Sequence, residues 1–481
     1  MGIVERGIEL GLENSRSYAK IFGGSQERRT AEERKADGKA LRKLVPRSSH
    51  AQWNPPADRQ DPVALIRSQE QTRLQDLLPV RHERMAASPF AYFRGAALPM
   101  AADLCHTPTT NINVQLCGDA HIANFGVFGT PERHLVFDIN DFDETLPGPW
   151  EYDVKRLATS IELCGRDRKF DARYRQDAVL TAVGSYRQAM AKFAKMGAMQ
   201  VYYEHVDVDE LLRRHRDAFT DGQLAALRRR LDKIRDKNSA RAIDKLTETV
   251  DGRMRIKSNP PLVVPMRDMQ TQRDIREASL VMRRALFGYM RSLSPERRNL
   301  LEQYEAVDAA RKVVGVGSVG TRCWIVVMQG PQGAEVDPLV LQIKEANESV
   351  LEPYLGKSRS REHGQRVVEG QRAIQTAGDI MLGWTSWIGD DGRIRDFYLR
   401  QLWDSKGSPD LDDISVDGLV GLSRLCGWAL AHAHARTGDR FMISGYLGKG
   451  DAFDRAVADF AAAYADQNDR DYQAFVACLK V

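Results

Sequence analysis

The sequence predicts an α+β fold, because two strand-rich patches are separated and followed by long helical stretches. The first patch covers residues 111–144 and the second residues 311–345, and both are rich in β-branched residues. Residues 151–200 and the stretch from about 419 to the end have the apolar spacing of helices. Strands and helices do not alternate regularly along the 481 residues, so we expect two mixed regions and not a parallel sheet.

These patterns divide the chain into five segments. They are a polar, basic arm with a helical extension (1–110), three short strands with the helices that follow them (111–200), a charged helical insertion (201–308), a second strand-rich unit (309–405) and a helical remainder (406–481). We expect a helix over Ile66–Leu78, helical structure as far as about residue 308, and a helix at about 361–378. Two more strands are expected around Trp384–Ile388 and in DFYLRQLW.

The composition argues against nucleic acid as the main partner, because 70 Lys and Arg against 66 Asp and Glu leave a net charge of only +4. No uncharged apolar run reaches the about 18 residues of a membrane span, so no membrane partner is expected. Glu5, Arg6 and Glu9 interrupt the first apolar stretch, so we expect no signal peptide and a cytoplasmic protein. The six scattered cysteines predict reduced thiols and no disulfide scaffold or zinc cluster.

The first patch carries a candidate metal and phosphate site. Its loop runs from Cys117 to Asn124 in the order C-G-D-A-H-I-A-N. Asp119 is suited to accept a proton from a hydroxyl group, and Asn124 to offer its carbonyl oxygen to a hard cation such as Mg²⁺. His121 either touches the site or supports the loop.

Four carboxylates crowd the end of the strand that follows this loop: Asp138, Asp141, Asp143 and Glu144. Their mutual repulsion has to be offset by a cation or a basic group. The loop alone, or the carboxylates alone, would fit an Asx-rich turn equally well. The presence of both at this spacing favours a metal–phosphate site.

The second patch opens with a glycine-rich loop, Gly315-Val-Gly317-Ser318-Val-Gly320. Glycines let backbone N–H groups approach phosphate oxygens closely. A dinucleotide-binding loop of this spacing leads directly into a helix. Here TRCWIVVMQG and LVLQIK predict two strands, and a glycine loop between antiparallel strands is the kinase type.

A lysine and a glutamate follow the glycine loop in the order that kinase chemistry requires. Lys344 ends the apolar strand LVLQIK and is suited to meet phosphates beneath the loop. Glu369, in the expected helix at 361–378, is a candidate to pair with Lys344, and Glu362 competes with it for that role.

The first patch resembles the catalytic region of aminoglycoside phosphotransferase-like kinases. The stretch CGDAHIANFGVF is similar to that family's G-D-x-H-x-x-N loop, LVFDIN to its strand with a metal-binding Asp, and YDVKRLA to its Tyr-Asp-Leu-Ala helix start. GVGSVG, QIK and the 361–378 helix resemble the small lobe of the same superfamily. FYLRQLWD resembles its hinge strand, and LCGWALAHAHA the helix before its catalytic loop.

Most of the chain also resembles the bacterial domain-of-unknown-function 2252 family. The phrases that carry this resemblance are SPFAYFRGAA, GDAHIANFG, FDINDFDETLPGPWEYDVKRLA and LQIKEANESVLEPY. This resemblance is specific as to family, but the family name implies no function.

The order of the two halves is reversed relative to the kinase pattern. The resemblance therefore implies a two-lobed, protein kinase-like fold that is circularly permuted and carries helical insertions, with the usual junction opened after the helix at about 419–436. Residues 111–200 would form the catalytic-loop half of the large lobe, 309–405 the small lobe and 406–481 the rest of the large lobe. Cys117 also replaces the usual His, and the distance from Gly320 to Lys344 is longer than in most kinases.

The resemblance implies an ATP- and Mg²⁺-dependent phosphotransferase that acts on a hydroxyl of an unidentified small molecule or protein. Asp119 would be the catalytic base, with His121 as a second candidate at the site. Mg²⁺ would be held by Asn124 and by either Asp138 or Asp141. The spacing from Asn124 favours Asp138, and the spacing to the YDVKRLA helix favours Asp141. The phosphates of ATP would be held by Gly315, Gly317, Ser318, Gly320 and Lys344, with Glu369 orienting Lys344.

Two other functions stay open at this point. The first is a nucleotide-binding pseudokinase or regulatory protein that uses the same cleft without turnover. The second is a metal-dependent hydrolase, in which His121 and the Asp cluster bind a transition metal and Lys344 has no role. The sequence carries no signal for the acceptor, for phosphate against AMP transfer, or for the oligomeric state.

Overall fold

A computed structural model describes residues 29–479 except 215, 217–219, 237–238, 252, 270–271, 314, 316, 334–336, 389–391 and 403–404. It has an α+β architecture, as predicted. The strands are β1 Asn113–Leu116, β2 Phe125–Gly129, β3 Leu135–Ile139, β4 Leu146–Pro149, β5 Val206–Asp207, β6 Thr247–Val250, β7 Arg253–Ile256, β8 Val263–Pro265, β9 Glu305–Lys312, β10 Cys323–Gln329, β11 Pro338–Ala346, β12 Gly383–Ile388 and β13 Ile394–Gln401.

The helices before residue 210 are mostly short, apart from two long ones that follow the first patch. The helices are α1 Ala31–Ala40, α2 Pro62–Glu70, α3 Leu78–Ala86, α4 Pro89–Gly95, α5 Ala97–Leu104, α6 Glu151–Asp167, α7 Ala172–Phe193, α8 Ala198–Tyr203, α9 Val208–Arg214, α10 Asp221–Arg235, α11 Ser239–Leu246, α12 Gln272–Ser292, α13 Pro295–Leu301, α14 Glu352–Leu355, α15 His363–Ile374, α16 Val416–Thr437, α17 Arg440–Leu447 and α18 Ala452–Cys478.

The second patch folds into a six-stranded antiparallel sheet with the order β12-β13-β11-β10-β9-β8. The glycine loop joins β9 to β10, so the prediction of a loop between antiparallel strands is confirmed. Lys344 lies two residues inside the end of β11, where it is opposite Tyr398 of β13 in the register. The expected helix at about 361–378 is α15, which lies in the chain between β11 and β12.

The strand before the glycine loop differs from the prediction. Helical structure was expected as far as about residue 308, but β9 begins at Glu305. Its sequence, EAVDAARK, is made largely of helix-favouring residues. Pairing with β10 buries the small side chains of Ala309 and Ala310, and this tertiary contact outweighs the local propensity.

The expected single helix over Ile66–Leu78 is also divided into two. The helix α2 ends at Glu70, and α3 begins at Leu78. In the segment between them, the backbone N–H of Leu74 donates to the carbonyl of Gly320 at 2.7 Å. The chain leaves the helical path here and hydrogen-bonds to the glycine loop instead.

The first patch packs into the helical half of the molecule. Its three strands are β1, β2 and β3; β1 pairs with β4, and β2 and β3 form a three-stranded sheet with β5, so each sheet takes one strand from outside the patch. The long helices α7 and α16 pack so closely at Gly427 that a Cβ there would collide with the carbonyl of Ala182. This close approach of the two backbones requires glycine at position 427. The segment after β13 returns to this half, where Gly407 pairs with Val127 of β2. None of the described helices is long and apolar enough to cross a membrane.

Candidate functional site

A cavity of about 310 Å³ lies where the two strand-rich patches meet. Carboxylates of the first patch form one wall, the glycine loop and the end of β11 form a second, and the segment around α2 and α4 forms a third. The lining residues used below are Asp119, Asp141, Asp143, Glu144, Gly317, Ser318, Glu345, Glu348, Ser68, Gln69, Thr72, Arg73 and Arg94. Two patches that are far apart in sequence thus share one cleft, as the predicted site requires.

Lys344 is held by a carboxylate of the first patch. Its side chain is only 4% exposed, and its Nζ lies 2.6 Å from Oδ2 of Asp143. The Tyr398 hydroxyl donates to the other oxygen of Asp143 at 2.6 Å. Burial opposes the charged form of Lys344, but Asp143, Tyr398 and Asp141 outweigh it, so the pKa of Lys344 lies well above its usual value. Lys344 is therefore a fixed positive charge at the cleft.

Glu369 does not have the position that was predicted for it. Its carboxylate is exposed and accepts hydrogen bonds from Ser360 and Gln365. Among the described residues, the partner of Lys344 is Asp143 and not Glu369. The competing residue, Glu362, accepts a hydrogen bond from Ser386. Glu369 on α15 and Glu362 just before that helix thus each have other hydrogen-bond partners.

Asp119 lines the cavity and is paired on one side only. Its Oδ1 accepts from Nε of Arg156 at 2.8 Å, and its Oδ2 lies 3.7 Å from Nε2 of His121. Burial raises the pKa of Asp119, and the positive charges of Arg156 and Arg94 act in the opposite direction. Burial and the same two arginines hold the pKa of His121 well below its usual value, so its ring is neutral. Asp119 therefore keeps one carboxylate oxygen without a charged partner.

The loop that carries Asp119 is fixed from beneath by Asp153, near the start of α6. Its two carboxylate oxygens accept from the backbone N–H groups of Cys117, at 2.8 Å, and Gly118, at 3.1 Å. Nε2 of His434 lies 3.3 Å from the same carboxylate. Gly118 has a φ of +85°, and a Cβ there would collide with the carbonyl of Glu144. The geometry of Asp119 is thus set by buried contacts.

The two candidate aspartates for metal binding have different surroundings. Asp138 is buried and accepts hydrogen bonds at 2.9 Å from both the backbone N–H and the hydroxyl of Thr376. Asp141 lines the cavity, and burial together with Asp143 raises its pKa. Asn124 donates its amide to the carbonyl of Asp119 at 2.9 Å, which leaves its Oδ1 as the acceptor atom.

Of the three predicted metal ligands, Asp141 lines the cavity, whereas Asn124 and Asp138 are not among its lining residues. Mg²⁺ takes one or two protein carboxylates and completes its shell with phosphate and water oxygens. Asp141 fits that role, because a cation offsets the charge that its burial opposes. The carboxylate of Asp138 is already satisfied by Thr376. In the described part of the chain, no group of three His, Cys, Asp or Glu side chains is arranged to hold a metal ion.

The glycine loop is anchored to the N-terminal helices. The Arg81 guanidinium donates to the carbonyl of Gly317 at 3.1 Å, and that of Arg73 donates to the carbonyl of Val319 at 2.6 Å. Gly320 has a φ of +89°, which favours glycine. Gly315 has no described atom within 4 Å of the place where a Cβ would lie. Gly317 and Ser318 line the cavity, with the hydroxyl of Ser318 3.5 Å from Asp143.

A second cavity of about 340 Å³ lies between β2, β11 and β13. Arg400 and Lys406 line it. Each lies close enough to Asp141 and Asp143 for those carboxylates to act on its pKa. Nε of Arg400 donates to Gln342, its register partner on β11, at 3.0 Å. Burial and Arg400 lower the pKa of Lys406 to about 7. Lys344, Arg400 and Lys406 thus form a buried cluster of basic groups at the cleft.

A family model described as "Uncharacterized protein conserved in bacteria (DUF2252)" matches residues 73–478. The chain belongs to this family. No curated protein and no solved structure matches the chain. The matched part of this DUF2252 chain includes both cavity walls that carry the predicted residues. It begins at Arg73, which contacts the glycine loop.

Four residues at the DUF2252 cavity were not among the predicted site residues: Asp143, Tyr398, Arg156 and Arg94. Asp143 was recognised only as one member of a crowded carboxylate group. Tyr398 lies opposite Lys344 in the register of β11 and β13. The sequence alone does not show that these two strands pair, so it does not indicate Tyr398. Arg156 lies three residues after Asp153, one helical turn along α6. Nothing in the sequence near Arg94 indicates a site.

Proposed function

We propose that this protein is an ATP- and Mg²⁺-dependent phosphotransferase with a kinase-like fold in circularly permuted order. The observation that carries the proposal is one cavity lined by Asp119, by Asp143 with its partner Lys344, and by Gly317 of the glycine loop. Phosphoryl transfer needs a proton acceptor, a positive charge for the phosphates and a backbone cradle in one place. Each of these three components has a residue at this cavity.

The order of elements in the larger sheet supports the kinase-like part of the proposal. In protein kinases a glycine-rich loop covers the phosphates, the phosphate-binding Lys lies on the third strand, and a helix follows. Here the corresponding order is β9, the loop, β10, β11 with Lys344, and then α15. The loop with Asp119 comes earlier in the chain, which is the feature that a circular permutation explains.

The charges of the cleft support a nucleotide triphosphate as the donor. Lys344 supplies a positive charge beside Asp143 at the cleft, and Arg400 and Lys406, which line the second cavity, lie close enough to Asp141 and Asp143 to interact with them electrostatically. Such an arrangement suits a ligand that consists of a polyanion and a divalent cation together. Mg²⁺, when bound, would neutralise charge on the phosphates, and Asp141 with the Oδ1 of Asn124 would hold it.

Asp119 would receive the proton of the acceptor hydroxyl. Arg156 fixes Oδ1 of Asp119, so Oδ2 is the oxygen that is left for the substrate. Asp153 holds the backbone of the loop, and so keeps Asp119 from moving when the substrate binds. His121 is neutral, buried and not among the residues that line the cavity, so beside Oδ2 it supports the loop and does not contact the acceptor.

Thermal unfolding with nucleotide and metal tests the proposal. ATP with Mg²⁺ should raise the melting temperature, because a ligand that binds only the native state stabilises it. ATP alone should raise it less, since the carboxylates would face the phosphates directly. Lys344→Met should remove most of the shift, and Lys357→Met, at an 85% exposed site, should keep all of it. Equal shifts with and without Mg²⁺, or none in the wild-type protein, would count against the proposal.

A further inference from the structure

The third wall of the cavity comes from outside the two strand-rich patches. It is formed by residues at the end of α2 and in the turn after it, and by the end of α4. The side chains of Ser68, Gln69 and Thr72 contribute hydroxyl and amide groups. Arg73 and Arg94 contribute the basic groups. Of this wall, Arg94 lies close enough to Asp119 to interact with it electrostatically, so it is near the place that an acceptor hydroxyl would occupy.

Arg94 differs from the other arginines around it. Arg73 and Arg81 each donate to a backbone carbonyl of the glycine loop. The guanidinium of Arg94 takes part in none of the hydrogen bonds or ion pairs found among the described residues, and its Nε is buried without a partner. Its ring neighbour is Phe90, 5.9 Å from the guanidinium carbon. An unpartnered Nε alone is not distinctive, since the Nε of Arg366 and that of Arg436 are buried in the same way. In Arg94 no guanidinium N–H has an acceptor among the described residues, and a partly buried charged donor of this kind is suited to a ligand that supplies one.

Asp119 does not account for Arg94. Asp119 is the carboxylate with the largest influence on Arg94, but it already has a hydrogen-bonded partner in Arg156. Arg156 is itself anchored, because it donates to the carbonyl of Phe93 at 2.8 Å and stacks 3.9 Å from the Phe93 ring. The charge of Asp119 is therefore compensated without Arg94, and Arg94 brings an additional positive charge to the cavity.

The carboxylates of the cavity do not exclude an anion from this wall, because most of them have partners of their own. Asp143 pairs with Lys344, and Glu345 pairs with Arg322 at 3.2 Å. Glu144 accepts from the backbone N–H of Val350, and burial raises its pKa to about 7. None of these three carboxylates is among the groups that act electrostatically on Arg94.

We infer that the acceptor is a small molecule that carries an anionic group, a carboxylate or a phosphate, beside its hydroxyl, and that Arg94 binds this group. The inference rests on the proposed function, because Asp119 marks the position of the hydroxyl. A planar guanidinium binds both kinds of anion through paired hydrogen bonds. A cavity of about 310 Å³ also matches the lower end of the range for small-ligand sites and leaves room for a small acid beside the terminal phosphate.

Binding of three related probes tests this inference without nucleotide: glycerol, glycerate and glycerol phosphate. They share hydroxyl groups and differ in being neutral, a carboxylate or a phosphate. Calorimetry should detect at least one of the two anions and not glycerol. Arg94→Met should weaken that binding about 10- to 100-fold, the usual worth of a charged hydrogen bond. Arg94→Lys keeps the charge but loses the paired N–H groups of the guanidinium, so its affinity for the anion should lie between those of the wild-type protein and Arg94→Met. The matched control is Arg67→Met, since Arg67 is exposed on α2.

Lys344→Met distinguishes the inferred site from the proposed phosphate site of the nucleotide. It should weaken the binding of the anionic probe much less than Arg94→Met does, because it removes no group on the Arg94 wall but leaves Asp143 unpaired in the same cavity. Arg94→Met should weaken the binding of Mg²⁺–ATP much less than Lys344→Met does. The inference is overturned if neither anion binds at millimolar concentration, if glycerol binds equally well, or if binding survives Arg94→Met. Anion binding that depends on Lys344 and not on Arg94 also overturns it. If an anion binds through Arg94 while Mg²⁺–ATP does not bind, the phosphotransferase proposal fails and the anion site stands.

Discussion

Replacing Lys344 by Met should destabilise the protein even without nucleotide. The change removes one partner of a buried ion pair and leaves the carboxylate of Asp143 without its charge partner. Breaking such a pair typically costs about 3–5 kcal/mol. The Asp143 side chain is 27% exposed and keeps its hydrogen bond from Tyr398, so we expect a smaller loss of about 2 kcal/mol.

The opposite change, Asp143→Asn, should cost more. Lys344 is only 4% exposed, so its unpaired charge cannot reach water. Asp141 and the new amide oxygen compensate for part of this, and we expect a loss of about 3 kcal/mol. The double variant should lose about 1–2 kcal/mol less free energy of unfolding than the sum of the losses in the two single variants. Each single change leaves the other group buried without its charge partner, and the double change does not.

Urea unfolding, followed by far-ultraviolet circular dichroism, measures these four free energies. Lys357→Met is the matched control, since Lys357 is exposed and lies 3.9 Å from its carboxylate neighbour, and it should leave the free energy of unfolding unchanged. If the two single changes added without coupling, or if Lys344→Met cost nothing, the assignment of Lys344 to a buried pair across the cleft would be refuted.

Four further substitutions test other parts of the structure. Asp141→Asn should abolish the extra thermal shift that Mg²⁺ adds to ATP, whereas Asp138→Asn should lower stability but keep the Mg²⁺ dependence, since Asp138 is bonded to Thr376. Asp153→Asn should lower the free energy of unfolding by about 2 kcal/mol and reduce turnover, because it weakens the support of the Asp119 loop; unfolding and rate measurements check this. Burial lowers the pKa of His50 to about 3, below its unfolded value, so the unfolded chain binds more protons and stability falls as pH drops below about 6.5. Unfolding of His50→Gln from pH 7 to pH 5 should show a shallower fall, by up to about 1.4 kcal/mol per pH unit, and identical slopes would contradict this.

Local patterns in the sequence were sufficient to predict the elements that carry most of the site. Continuous runs of apolar, mainly β-branched residues predict β10 and β11, the glycines mark the loop before β10, and the loop from Cys117 to Asn124 is recognised from its polar residues. Each of these features depends on residues that are close together in the chain, so it can be predicted from the short segment that forms it.

The interactions that join distant segments were not predictable in this way. The strand β9 has the composition of a helix, and only its pairing with β10 makes it a strand. The break between α2 and α3 is explained by a hydrogen bond to Gly320, which lies far away in the sequence. Glu369 was expected to pair with Lys344 from its position in a helix, but the facing of α15 depends on packing against the sheet. Arg94 has significance only because the fold brings it near Asp119.

The most direct test of the central claim is to measure Mg²⁺–ATP affinity and ATP turnover together in Asp119→Asn. Asparagine keeps the shape and can accept the hydrogen bond of Arg156, but it cannot receive a proton. We predict that the wild-type protein binds Mg²⁺–ATP and transfers its terminal phosphoryl group to water or to glycerate, with release of ADP. The variant should bind Mg²⁺–ATP equally well but release ADP at least about 100-fold more slowly. Asp58→Asn, at an exposed site, should match the wild type in both measurements. Unchanged turnover in Asp119→Asn, or no binding of Mg²⁺–ATP by the wild-type protein, would contradict the account.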